Sequence, residues 1–317
     1  MFGTCRPLKA LSAKVPDSSH VFTNVYGLAR SLIAFGSLTT LAFSSTEVLF
    51  SPLAGVPEAP QCTSPAVSLG LFCVMGERWL HEARLLGILV LLMTVAGWKP
   101  RFLGVLHAYV SLSMYMSLSV KDGGDQIASM LSLMLVPATL LDSRDWHWSA
   151  PPQAATLPAA LAYPWLLICR IQVSFLYWHA SVGKLRETTW RNGTALYYIS
   201  KSNMFGFAFP GSDWLLGIAV VVLSMTWGLL IAEALLSMGL LASADAKKGL
   251  LILGCLLHLG IALFMSLPSF SIVMFGALLL YLRPFDQELP LRKMLSSMRD
   301  IVLRLRTTSL HHSIDNS

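Results

Sequence analysis

Long apolar runs separated by short polar turns make up most of this chain, and they leave few folds open to it. The runs fall at about 25–43, 82–98, 102–119 and 125–141, then in the stretch opening at Tyr163, then at about 214–241, 249–266 and 269–282. A helix needs about 20 such residues to cross a bilayer. Of the 317 residues 55% are hydrophobic and 13% charged, against about 25% charged in soluble domains. The sequence predicts an all-α polytopic membrane bundle of about eight transmembrane helices. The net charge of +6 follows from the Lys and Arg that membrane proteins gather on cytoplasmic loops. It implies contact with membrane lipid and no nucleic acid.

Orientation follows from where those cations sit. With the amino terminus inside, fourteen Lys and Arg residues fall on the cytoplasmic side and seven on the other, with Arg30 and Arg170 inside spans. Both termini are therefore expected in the cytoplasm. Residues 1–20 read as a basic cytoplasmic tail and 21–285 as the transmembrane domain. Residues 286–317 read as a cationic amphipathic helix and tail, with Leu291, Met294, Leu295, Met298, Ile301, Val302 and Leu305 on one face. Such a helix lies on an anionic leaflet. The piece at 66–75 is too short to span and is expected in the interface or as a re-entrant segment. Cys62 and Cys73 share one loop, either as an extracytoplasmic disulfide or as two unpaired small hydrophobes. The Phe/Gly region at 203–212 has no clear pattern.

The most informative stretch is 163–198. It begins as an apolar run, yet Arg170, Ser174, Tyr177, Ser181 and Lys184 recur at i, i+4, i+7, i+11 and i+14, one face of a helix. Such a face is expensive to leave against lipid, so it is expected to look into the protein or a wet cavity. Gln172 and His179 lie on the same helix, and Trp190, Arg191 and Asn192 form a loop with an aromatic suited to the membrane surface. Lys184 reads either as a lysine snorkelling to the outer surface or as a partly desolvated amine able to act as a base. Glu233 shares a face with Thr226 and Ser237 and reads as a buried countercharge to Arg30 or Arg170. Asp125 has a capping reading at its helix start, beside Asp122 and Gln126. His107 and His258 read as core histidines. No metal site is expected from the cysteines.

Arg170-Ile-Gln172, Tyr177-Trp-His-Ala180, Gly183-Lys184-Leu185 and Trp190-Arg-Asn-Gly193-Thr-Ala195 together resemble the signature of the HTTM membrane domain. That domain is shared by vitamin K-dependent γ-glutamyl carboxylases and SdpB-type bacterial proteins. Arg30, Asp125-Gln126 and Asp142 fit the same pattern, which covers roughly residues 20–285. Asp122-Gly-Gly-Asp125-Gln126 looks closest to the SdpB branch. The carboxylase likeness implies Lys184 as a catalytic base, with Asp122, Asp125 and Gln126 beside it and a quinol-type lipid as cofactor. The carboxylase, however, has a histidine where this chain offers Gln126 or Ile127. The SdpB likeness implies a factor in a bacterial inner membrane that matures an exported peptide-toxin precursor of the SdpC type, with a small SdpA-type partner. In either case Arg30, Arg170, Gln172, Ser174, Tyr177, His179, Ser181, Trp190, Asn192 and Glu233 are the expected cavity residues. A non-catalytic transporter or receptor is the third reading.

Overall fold

The computed structural model describes residues 21–52, 60–149, 156–202 and 211–289. Among them the secondary structure is helical, apart from one isolated bridge between Trp98 and Trp146. Eight long helices occupy the expected positions: α1 (Asn24–Phe43), α2 (Leu80–Ala96), α3 (Pro100–Ser117), α4 (Gly123–Leu141), α5 (Leu157–Arg186), α6 (Ala219–Ser237), α7 (Ala244–Phe264) and α8 (Pro268–Leu282). The basic tail at 1–20, most of the Phe/Gly region and the amphipathic helix from 290 onward lie outside the described residues.

Six of the eight helices are long and apolar enough to cross a membrane, so the chain is a multi-pass membrane protein. The other two, α3 and α8, also lie where spans were expected. Helix α8 has 15 residues, about 22 Å at 1.5 Å per residue, which is short of a hydrocarbon core of about 30 Å. Helix α3 is not among the six, because its serines and His107 dilute its hydropathy. Both bury much of their surface against protein, although α3 keeps Phe102, Val105 and Leu106 exposed on its other face. Ser111, Ser113, Ser117 and His107 of α3 are all buried, as is most of α8.

Small residues let α8 reach the middle of the bundle. A Cβ on Gly36 of α1 would lie 2.3 Å from the Val273 side chain, and one on Gly276 of α8 would lie 2.8 Å from the Ala29 carbonyl oxygen. In lipid, helices gain little from hydrophobic burial against each other, so this close van der Waals approach is what holds them. The core that results runs through Tyr26, Ile33, Leu131, Leu166, Val173, Met274 and Leu278.

At one end of the bundle the α2–α3 turn meets the α4–α5 connection. Gly97 ends α2 in the left-handed region, with φ of 89°, and its carbonyl accepts from His147 N–H at 2.9 Å. The His147 ring lies so close that a Cβ on Gly97 would meet it at 2.4 Å. Arg30 is buried here, its Nη1 3.2 Å from His147 Nδ1. A guanidinium can only donate, so Nδ1 accepts and the ring proton sits on Nε2. That N–H donates to Ser31 Oγ at 3.2 Å, and the hydroxyl donates onward to the Val95 carbonyl at 2.7 Å.

The network therefore needs a neutral imidazole. Burial first, then the Arg30 and Arg144 charges, push the His147 pKa well below its ordinary value. Below about pH 6.5 the unfolded chain takes up a proton that the folded chain refuses, so stability is present above that pH and lost as pH falls. The loss is at most about 1.4 kcal/mol per pH unit from this one group. The thermal midpoint of the purified chain is expected to drop between about pH 7 and about pH 5, with a shallower drop in His147→Gln. An equal slope in that variant would remove His147 as the cause.

The other end is built from the α3–α4 and α7–α8 connections. Asp122 caps α4, accepting from Gly124 N–H at 2.7 Å and Asp125 N–H at 3.1 Å. Asp125 returns the contact to Asp122 N–H at 3.1 Å, completing a capping box. The glycine pair has a steric reason, since a Cβ on Gly124 would lie 2.7 Å from Phe270 Cα. The segment at 66–75 forms two short helices, Pro65–Ser68 and Leu71–Met75. Cys62 and Cys73 are joined in a disulfide at this end.

Candidate functional site

Helix α5 carries the polar face from one end of the bundle to the other. Every member of it turns inward. Arg170 Nε donates to the Leu280 carbonyl at 3.0 Å, and its Nη2 donates to the Arg283 carbonyl. Ser174 Oγ donates to the Ser237 carbonyl at 2.6 Å, the Tyr177 hydroxyl meets His258 Nε2 at 2.9 Å, and Ser181 is buried. Lys184 Nζ donates to both Glu233 oxygens, at 2.7 and 2.8 Å. The expected inward-looking face is thus present.

Two readings of single residues are corrected. Glu233 is a countercharge, but its partner is Lys184 and neither Arg30 nor Arg170. Lys184 does not snorkel outward to water. Side chains on a helix lean toward its amino terminus. Lys184 on α5 therefore leans into the bundle. Glu233 sits on the antiparallel α6 and leans the opposite way, so the two groups approach each other. Their side chains are 25% and 10% exposed, which leaves the pair largely desolvated but open on one side. The Trp190 ring centroid lies 5.3 Å from Nζ on that open side. Trp190 is held there by the short helix Thr188–Arg191 and by Gly193, whose φ of 70° and contact with Leu223 exclude a side chain.

The pair opens on a cavity of about 890 Å³, within the size range of small-molecule sites. Lys184, Glu233, Tyr177, Gln172, His179 and Trp190 line it from α5, α6 and the loop, and Asp122 and Gln126 line it from the start of α4. Lys121 and Tyr115 join Asp122 at its rim, and its remaining walls are largely apolar. His258 and Phe270, their rings 5.4 Å apart, close it from α7 and α8. The His258 Nδ1 is buried with no partner among the described residues. The buried histidine expected from sequence is therefore also part of the cavity wall, and nothing in its apolar surroundings on α7 marked it as such.

The other expected site residues lie elsewhere. Arg170 is four helical turns from Lys184, about 21 Å along α5, and faces a separate pocket at the opposite end. Arg30 is locked to His147 at that same end. Asp125 is buried in its capping box and faces a neighbouring crevice lined by Thr39, Thr40 and Ser269. Ser174 is engaged by the Ser237 carbonyl, Ser181 is buried with its hydroxyl unpartnered among the described residues, and Asn192 is exposed outside the cavity. The assembled constellation is an amine–carboxylate pair, a tyrosine–histidine pair, a second histidine (His179), two amides, and Lys121 beside one aspartate, around an apolar floor. That set can hold an anionic or amide-bearing group and exchange a proton with it. Among the described residues no group of three or more His, Cys, Asp or Glu side chains is placed to bind a metal ion.

No protein-family model matches the chain. No solved structure matches it significantly. It is similar to two Bacillus subtilis (strain 168) proteins along most of their lengths. Identity to the uncharacterized protein YitO is 39% over 280 residues, 86% of this chain and 89% of that protein. Identity to the sporulation-delaying protein SdpB is 34% over 281 residues, 86% of this chain and 85% of that protein. On that extent of shared sequence, the chain belongs to the SdpB family.

Proposed function

We propose that this protein is a bacterial inner-membrane factor that matures an exported antimicrobial peptide precursor, binding it in the Lys184 cavity at the extracytoplasmic face. The observation that carries this reading is the Lys184–Glu233 pair, held half-open at the mouth of a cavity in a chain of the SdpB family. The outward orientation has two supports. The basic-residue count favours it, and the Cys62–Cys73 disulfide at the same end suits an oxidising compartment. The cavity takes one or a few residues of a peptide, not a folded domain. A small membrane-anchored partner protein would then present the precursor.

A carboxylase-like reaction, with Lys184 as base toward a quinol-type lipid, is the second reading. The apolar groove between α6 and α7 favours it, because Leu196, Leu229, Ile261 and Met265 line both the groove and the cavity, giving a lipid tail a way in. A base needs a free lone pair on Nζ, however, and both Glu233 oxygens now engage that amine. The carboxylate would have to release it first.

The deciding experiment expresses the chain with a signal-bearing precursor and a small anchored partner in a host lacking a homologue. Mass spectrometry of the medium is expected to show a mature peptide only when the chain is present. A cleavage, or loss of hydrogen on disulfide closure, supports the first reading, and an added carboxyl mass supports the second. An identical peptide profile without the chain would end both.

A further inference from the structure

The opposite end of the polar face also opens on a pocket, and its chemistry differs. The pocket, of about 270 Å³, is lined by Arg170, Lys247, Lys248, Arg283, Tyr163 and Asp286, among others. The lining thus holds four cations and one carboxylate, the exposed Asp286. Asp245 pairs with Lys248 at 2.9 Å, but that carboxylate is 91% exposed and offsets little. Arg170 is fixed by two carbonyls and by the Phe285 ring 3.6 Å beneath its guanidinium, so it cannot swing away from its neighbours. Its Nη1 makes no hydrogen bond among the described residues. The Arg283 Nε is buried and likewise without a partner.

The backbone adds to this field. Ala244 opens helix α7 at the pocket wall, and a helix amino terminus carries a partial positive charge and free N–H groups. Cations held together without matching anions cost free energy unless something negative completes them. The basic-residue count assigns this end to the cytoplasmic side, the side on which the inner-leaflet headgroups lie.

We propose that this Arg170–Lys247–Arg283 pocket binds a phosphate group, carried by an anionic phospholipid headgroup at the inner leaflet or by free phosphate. Planar guanidinium groups suit the paired oxygens of a phosphate, and the two lysines add point charge at the rim. The volume admits a phosphate with a short polar substituent. The tail of a phospholipid would run along the apolar outer surface of the bundle. The site stands apart from the Lys184 cavity and does not depend on the function proposed for it.

The test uses the full chain in detergent, with native mass spectrometry reading bound lipid after addition of phosphatidylglycerol or phosphatidylcholine. The wild type is expected to retain phosphatidylglycerol over phosphatidylcholine. At about 1 kcal/mol per basic residue near a lipid headgroup, K247Q/K248Q should weaken that retention by about tenfold to thirtyfold. Both lysines are exposed or half-exposed, so the variant should fold, and Arg283→Gln provides an independent second variant. The cations of the sequence beyond residue 289 remain in every variant and so cancel in the comparison. Competition by millimolar inorganic phosphate would assign the site to free phosphate, and resistance to it would assign the headgroup. Equal retention of the two lipids with no response to phosphate would overturn the proposal. So would unchanged phosphatidylglycerol retention in both variants.

Discussion

Lys184→Ala is expected to stop peptide maturation and to destabilise the folded chain by about 3 kcal/mol, near the lower end of the cost for breaking a buried pair. The reason is the state of Glu233 after the change. Its carboxylate is 10% exposed and receives both of its close hydrogen bonds from Nζ, at 2.7 and 2.8 Å. Without the amine it would be a desolvated charge with no partner. The lower end of the range applies because Lys184 is itself 25% exposed, which lets cavity water compensate in part. Replacing both groups, as Lys184→Leu with Glu233→Leu, removes the stranded charge and should restore the unfolding midpoint to within about 1 kcal/mol of wild type. Maturation should stay absent. Lys184→Arg keeps a cation able to bridge the carboxylate, so stability should hold. Its guanidinium cannot give up a proton, so maturation should fail if proton transfer at Nζ is the step. Unfolding measured in detergent, set beside mass spectrometry of the exported peptide, separates these outcomes. A double leucine variant that regains full maturation would reduce the pair to a structural clamp.

Much of this arrangement can be read from residue order, and the limit falls at a definite place. The inward face of α5 follows from period alone, because Arg170, Ser174, Tyr177, Ser181 and Lys184 can only share one side of a helix. A carboxylate cap before the apolar run of α4 is also legible, but the N-cap is Asp122 and Asp125 is its N3 partner in the capping box. The pairing of Glu233 does not follow. Three buried or half-buried cations were available to it, and the choice depends on the depth of α6 relative to α5 and on the lean of each side chain. No pattern within either helix encodes that depth. The same holds for Arg170, whose charge is met by carbonyls at the end of α8 and by Phe285 instead of a carboxylate. Backbone partners leave no trace in side-chain identity. The cavity wall supplied by Phe270 and His258 depends in turn on how closely α8 approaches Gly124, which is a property of packing. The short α8 shows a further limit. Its run reads from sequence like the other spans, and only the packing shows that neighbouring helices cover most of its 15 residues.

Filling the cavity without touching the pair should separate chemistry from space. Ala180 lines the cavity on α5 and is half-buried, three residues after Tyr177 and four before Lys184. Residues at those spacings are neighbours on a helix surface, so an indole at position 180 would stand between the two functional groups. Ala180→Trp is expected to cut peptide maturation by at least about tenfold, because the blocked volume must be vacated before substrate can bind, at a cost of over about 1.4 kcal/mol. The midpoint of unfolding should move by less than about 4 °C, since the ring enters open space and compresses no packed core. Ile171→Trp places the same ring on the exposed side of the same helix, where Ile171 is 52% accessible, and should leave maturation intact. Trp at 180 with undiminished maturation would mean that the peptide is handled outside this cavity. The Lys184–Glu233 pair would then be a buried clamp that closes α5 on α6, and its removal would act through stability alone.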